Sequence, residues 1–195
     1  MLRTLLAFTV AAAAGGAPPA AEPPRPLSVE EIPRGWAPAV SRGDAAMNVL
    51  RERFLKRLQA AFQAGGVQEA LTVCPVDAPR IAKEVGEANH VEIGRTSFRV
   101  RNPANAPRPW AASFVAAAAG KKVDEMKPAV FDLGDRIGML RAMATMPLCV
   151  RCHGAAEAIA PEVKAELAKR YPKDQGLGFA AGDVRGFIWV EVKKP

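Results

Sequence analysis

Cys149-Val150-Arg151-Cys152-His153 is the feature that most restricts what this chain can become. On one helical turn, two cysteines three residues apart can reach the two vinyl groups on one edge of a porphyrin and form thioethers. The histidine directly after the second cysteine then comes under the iron and offers a ring nitrogen as axial ligand. Other readings of the spacing fare worse. A redox pair of thioredoxin type would normally follow a strand and open a long helix in a β-α-β setting, which is absent here. A zinc site would need two more ligands, and only Cys74 and His90 remain among the three cysteines and two histidines. One covalently attached haem c is therefore expected, with Cys149 and Cys152 as attachment points and His153 as metal ligand.

The amino terminus supports that expectation. Arg3 followed by the apolar run Leu5 to Val10 and the small residues Ala12-Ala13-Ala14 reads as a secretory signal over residues 1–14. Haem c is attached on the far side of the membrane, so export and the motif support each other, and a periplasmic location is expected. Residues 15–43 read as a Pro/Ala-rich linker and N-terminal segment, and 44–195 as a single domain. No run approaches the roughly 18 apolar residues of a spanning helix, so no stable membrane insertion is expected. The 27 basic and 20 acidic side chains leave a formal charge of +7, which admits nucleic acid, anionic lipid or acidic protein partners and chooses none. Export argues against nucleic acid.

Periodicity then sorts the elements. Met47, Leu50, Phe54, Leu58, Ala61 and Phe62 recur at helical spacing, which predicts a helix from Asp44 to about Ala64, ended by Gly65-Gly66. A short helical segment over Val67 to Val73 closes at Cys74-Pro75, and a third helix runs from an Asp77 cap to about Ala88. Between Ile93 and Asn102, Phe98 and Val100 fall on one side and Arg95, Ser97, Arg99 and Arg101 on the other, which predicts a strand with a basic face. An Ala-rich helix with Trp110 and Phe114 is expected from Asn102-Pro103 to about Gly120. Pro128 to Leu133 and Ile137 to Thr145 flank Gly134-Asp135 as a hairpin. A helix from about Pro161 to Lys169, a glycine-bearing loop and a strand over Arg185 to Val192 complete the order. Helices first and an antiparallel sheet with inserted helices afterwards make an α+β domain.

The second axial position has several candidates: Cys74, His90, Tyr171 and the six methionines. Met146 lies too close to Cys149 to reach across an iron, Met139 and Met143 share one side of a predicted strand, and His90 sits at a helix end as a solvent-facing loop residue. Cys74 is the one cysteine that thioethers would not consume.

At this level the residues resemble the haem-c-binding PAS-like family. The ordered set is Cys74 with Ala78-Pro79, then Gly94-Arg95-Thr96-Ser97, Arg101-Asn102-Pro103-Ala104-Asn105 and Trp110. Pro147-Leu148-Cys149 through His153-Gly154, Tyr171-Pro172-Lys173-Asp174 and Gly182-Asp183-Val184-Arg185-Gly186 follow. The resemblance covers roughly residues 44 to 192 and implies a PAS-like antiparallel sheet with N-terminal and inserted flanking helices around one c-type haem. It also implies axial ligation by His153 and by a cysteine sulfur that maps onto Cys74. Ala111 departs from the pattern, which usually has Glu after the Trp.

Arg95 and Arg101, with Arg99 on the same strand face, are candidates to pair with the anionic haem propionates, a solvated basic face being the alternative. Arg185 is a further candidate, and Trp110, Phe187 and Trp189 are candidates to cover the porphyrin or to fill the core. A cysteinate favours Fe(III), and its loss on reduction would open a position to CO, NO or O2. The expected role is a periplasmic redox or diatomic-gas sensor module that signals through a separate partner protein. The alternative is a small soluble electron carrier docking a redox partner. No distal His/Arg pair stands at recognisable spacing, so an enzyme such as a peroxidase is not expected.

Overall fold

The chain is described by a computed structural model over residues 23–195; the expected signal segment 1–14 and the part of the expected linker up to residue 22 lie outside the described residues. The longest element, α1 (Ala37–Thr72), has Pro38 in its first turn, where a missing N–H costs nothing. It starts before the expected Asp44 because Ala39 and Gly43 already lie against the sheet. A side chain at Gly43 would come within 2.8 Å of Met139 Sδ, so the small residue allows the close approach. Gly65 and Gly66 break the helical geometry, as the sequence predicts, yet the chain resumes the helix at once and absorbs the segment expected as a second helix.

One π-type turn, Val73–Asp77, carries Cys74 and Pro75 and joins α1 to α2 (Ala78–Asn89). Helix α2 ends at His90, which adopts a left-handed conformation with φ 53° and is exposed. Strand β1 (Glu92–Thr96) stops well before the expected end at Asn102. The cause lies at Ser97, whose hydroxyl accepts from the Arg99 N–H and donates to the Arg185 carbonyl. Such local side-chain bonds draw the backbone away from a ladder. The Ala-rich helix shrinks to α3 (Ala112–Ala116), preceded by 3-10 turns at Pro103–Asn105 and Pro109–Ala111. Pro107 and Pro109 cannot donate to a helix through this stretch.

The hairpin forms as expected from β2 (Ala129–Asp132) and β3 (Arg136–Ala144), and β4 (Val184–Lys193) closes the sheet. Between β3 and β4 lie the single turn α4 (Val150–His153) and α5 (Pro161–Arg170). The sheet is antiparallel with order β1-β4-β3-β2, and the domain is α+β.

Each sheet face has its own core. On one, Met47 and Leu50 of α1 and Ile81 and Val85 of α2 pack on Ile137, Met139, Ile188, Val190 and Val192. On the other, Ala111, Val115 and Ala118 cover Phe131, Leu140, Val184 and Phe187, with Trp110 and Trp189 at the margin. Trp110 stands 5.2 Å from the Phe131 ring, and its Nε1–H donates to Glu191 at 2.9 Å. Trp110, Phe187 and Trp189 therefore serve the core. No helix among the described residues is long and apolar enough to cross a membrane.

Candidate functional site

A cleft with about 1360 Å³ of empty space, part of it open to solvent, lies beside the first core. The carboxy-terminal half of α1 supplies Phe54, Leu58 and Phe62; β1 supplies Arg95; the π-type turn supplies Cys74. Cys149, Cys152 and His153 face the same space from the turn after β3, with Met143 and Met146 beside them. The cleft is lined mainly by apolar atoms, as small-molecule and cofactor sites are.

The motif turn follows Pro147 and closes on itself. Cys152 and His153 N–H groups donate to the Cys149 carbonyl at 3.1 and 2.9 Å, which brings both sulfurs and the imidazole onto one short stretch of wall. His153 Nδ1 donates to the Gly176 carbonyl at 2.7 Å, so the ring is fixed and Nε2 is the nitrogen left that could ligate a metal. Burial, aided by the Arg185 and Arg101 cations, holds the imidazole well below its ordinary pKa and thus neutral.

Burial also raises the Cys149 thiol, and pushes Cys152 up to about 11 despite Arg101. A redox-active cysteine pair needs the opposite, a depressed thiol. None of the three cysteines forms a disulfide. Among the described residues no three His, Cys, Asp or Glu side chains gather as a metal cage. The donor set that does converge is two high-pKa thiols, one oriented imidazole and a third thiol on a broad apolar cleft. Those residues fit a covalently tethered porphyrin, with Cys149 and Cys152 to hold it and His153 and Cys74 to ligate its iron.

The arginines separate into different roles. Arg95 of β1 lies over the Phe54 ring at 4.3 Å; burial lowers its pKa, opposed first by Cys74 and then by Tyr171. Arg99 is exposed and donates to the Leu177 carbonyl at 2.9 Å, so it leaves the site. Arg101 is only 8% exposed, and the expected basic strand face does not form there. Its Nε donates to Asp174 at 2.9 Å and its Nη2 to the Cys152 carbonyl at 2.6 Å, so these donors serve the protein rather than a propionate.

Arg185 enters the cleft through a β-bulge. Met143 pairs with Gly186 and Ala144 with Val184, which leaves Arg185 as the extra residue and turns it out of the strict alternation. Its Nη1 donates to Ser97 at 3.1 Å, while its Nε is buried with no partner among the described residues. Burial brings its pKa down to about 10. An orphaned buried donor of this kind suits an anionic ligand group. Gly176 and Asp174 were not legible as site residues, because a backbone carbonyl and the contacts that aim it leave no side-chain signal in the sequence.

No curated protein matches the chain. Among solved structures, the cyanobacterial heme-protein Tll0287 superposes with a TM-score of 0.58 over 84% of this chain and 98% of that one, at 17% sequence identity. At that identity the likeness concerns the fold. The sequence pattern of the Tll0287-like family matches residues 31–193, from just before α1 to the end of β4, and the chain belongs to that family.

Proposed function

We propose that this protein binds one haem c covalently through Cys149 and Cys152, with His153 and Cys74 as axial ligands. We further propose that it works after export as a periplasmic redox or diatomic-gas sensor rather than as an enzyme. The observation that carries the reading is the convergence of the CxxCH turn and Cys74, from separate parts of the chain, on one apolar cleft. The likeness to a structure described as a heme-protein supports the cofactor. When bound, the haem would supply a one-electron iron centre able to take a diatomic gas such as CO, NO or O2 once Cys74 is released.

The chain's own contribution is orientation and charge. Gly176 fixes the His153 ring, Arg185 brings an unpartnered donor into the cleft, and Arg95 sits between Phe54 and Cys74. Cys74 favours the sensor reading over the electron carrier because it lies on a π-type turn joining two helices. Such turns are strained insertions that recur at functional sites, and release of the sulfur would be felt directly at that joint. A separate signalling or redox protein would receive the change.

Absorption spectra of the purified protein, oxidised, reduced and reduced under CO, test the reading. A haem band that survives acid–acetone extraction, a thiolate-ligated ferric spectrum and CO uptake after reduction are expected. Colourless protein, or haem removed by extraction, overturns the covalent assignment. Fast reduction with no change of ligation and no CO uptake supports the electron carrier instead.

A further inference from the structure

The loop after α5 contains a buried arrangement that nothing so far explains. Asp174 is 10% and Arg101 8% exposed, and they pair at 2.9 Å. The other oxygen of Asp174 accepts from the Gly176 N–H at 2.7 Å. The Gly176 carbonyl then receives two donors, His153 Nδ1 at 2.7 Å and Arg101 Nη2 at 3.3 Å. Arg101 Nη2 also donates to the Cys152 carbonyl at 2.6 Å. A side chain at Gly176 would meet Asp174 and Arg185 at 3.1 Å and Arg101 at 3.2 Å, so the turn is crowded on the side from which these groups approach.

We propose that Arg101 and Asp174 are a positioning pair for His153, setting through the Gly176 carbonyl how strongly that imidazole donates to the iron. The inference rests on the haem reading above, and the two residues act on His153 through the Gly176 carbonyl. The physical basis is competition for one acceptor. An imidazole whose Nδ1–H is strongly accepted gains basicity at Nε2 and favours the higher metal charge. The Arg101 cation draws on the same carbonyl and weakens that acceptance; Asp174 holds the cation and restrains it. Arg101 moderates the imidazole, and Asp174 moderates Arg101.

The two residues should therefore act with opposite signs. In R101Q the carbonyl is left to His153, the ferric state gains, and the midpoint potential falls. In D174N the turn is preserved, since an amide oxygen still accepts from Gly176 N–H, but the cation is unrestrained and the potential rises. A tenfold change in the ferric-to-ferrous ratio, which is about 59 mV for one electron, sets the expected scale. R101K keeps the charge without the forked geometry and should fall between wild type and R101Q.

The test measures potentials of wild type, R101Q, R101K and D174N, with the His153 Nδ1 proton followed by NMR in the diamagnetic CO adduct of the reduced protein. Opposite potential shifts, with the proton moving downfield in R101Q and upfield in D174N, support the proposal. Shifts of one sign in both variants, the mark of a merely loosened histidine, overturn it. So does an unmoved proton. Should R101Q not fold, D174N and R101K decide between the same outcomes. Colourless wild-type protein counts against the haem reading alone, and the same proton in the haem-free chain then decides the positioning claim.

Discussion

Ser97 and Arg185 hold each other twice across the floor of the cleft: the serine hydroxyl donates to the arginine carbonyl at 2.8 Å and accepts from its Nη1 at 3.1 Å. This clasp leaves the Arg185 Nε without a partner. An unsatisfied buried donor costs about 1–3 kcal/mol. R185M should accordingly stabilise the haem-free chain by about 1 kcal/mol while destabilising the haem-loaded one. Thermal unfolding of both forms checks the reversal of sign, and equal effects in the two would contradict the anion-pairing role.

Cys74 should matter to the spectrum and not to attachment. In C74A the haem is expected to stay covalently linked, because the proposed thioethers come from Cys149 and Cys152, while the ferric spectrum turns to high spin. Extraction and absorption on one sample check both halves.

The raised thiols give a kinetic prediction for haem-free protein. With Cys152 at about 11, only on the order of one molecule in ten thousand carries that thiolate at about pH 7. Alkylation of Cys152 should be correspondingly slow at neutrality and climb about tenfold per pH unit until its pKa is approached. A rate that levels off near neutral pH would contradict the burial described for this thiol.

Gly186 sits at the bulge with φ 155°, and a side chain there would lie 2.2 Å from the Thr96 carbonyl oxygen. That contact is with backbone and can be relieved only by moving β1 or β4. G186A should cost about 3 kcal/mol, at the upper end of overpacking changes. At Gly66, whose φ is 63° but which has open space around it, G66A should cost about 1–2 kcal/mol. Denaturant midpoints of the two variants check the order.

Several carboxylates sit below their ordinary pKa: Glu92 through Arg136, and Asp132 through Lys194. Depressed groups of this kind add stability above the unfolded carboxylate range, and that contribution fades as pH falls through the folded values. The protein should lose stability steadily from about pH 5 to pH 3, with the loss reduced in high salt because these pairs are largely exposed. Urea unfolding across that range checks the slope.

The elements legible in the sequence are those whose burial is periodic. The hairpin β2–β3, helix α5 and strand β4 appear where alternation or helical spacing predicts them. The arginine-rich stretch after β1 misleads because a polar residue every second position looks the same whether it is wet or buried. Arg101 is carried inside by Asp174, which is 73 residues away in sequence. Cys74 and the CxxCH motif were legible as chemistry, but no local pattern shows that a π-type turn and a turn after β3 meet on one cleft. The role of Gly176 is invisible in principle, since any residue has a carbonyl.

The extra residue in β4 also decides how the strand answers to length. Deleting one amino acid between Val184 and Phe187 would restore strict alternation, and every position would then look better matched on paper. Loss of Arg185 would take the guanidinium out of the lining, and loss of Gly186 would set that side chain opposite Met143, against the Thr96 carbonyl that only a glycine clears. At this point shortening is a graver insult than most replacements, and the irregularity is what lets one ribbon serve an oily interior and a charged lining at once.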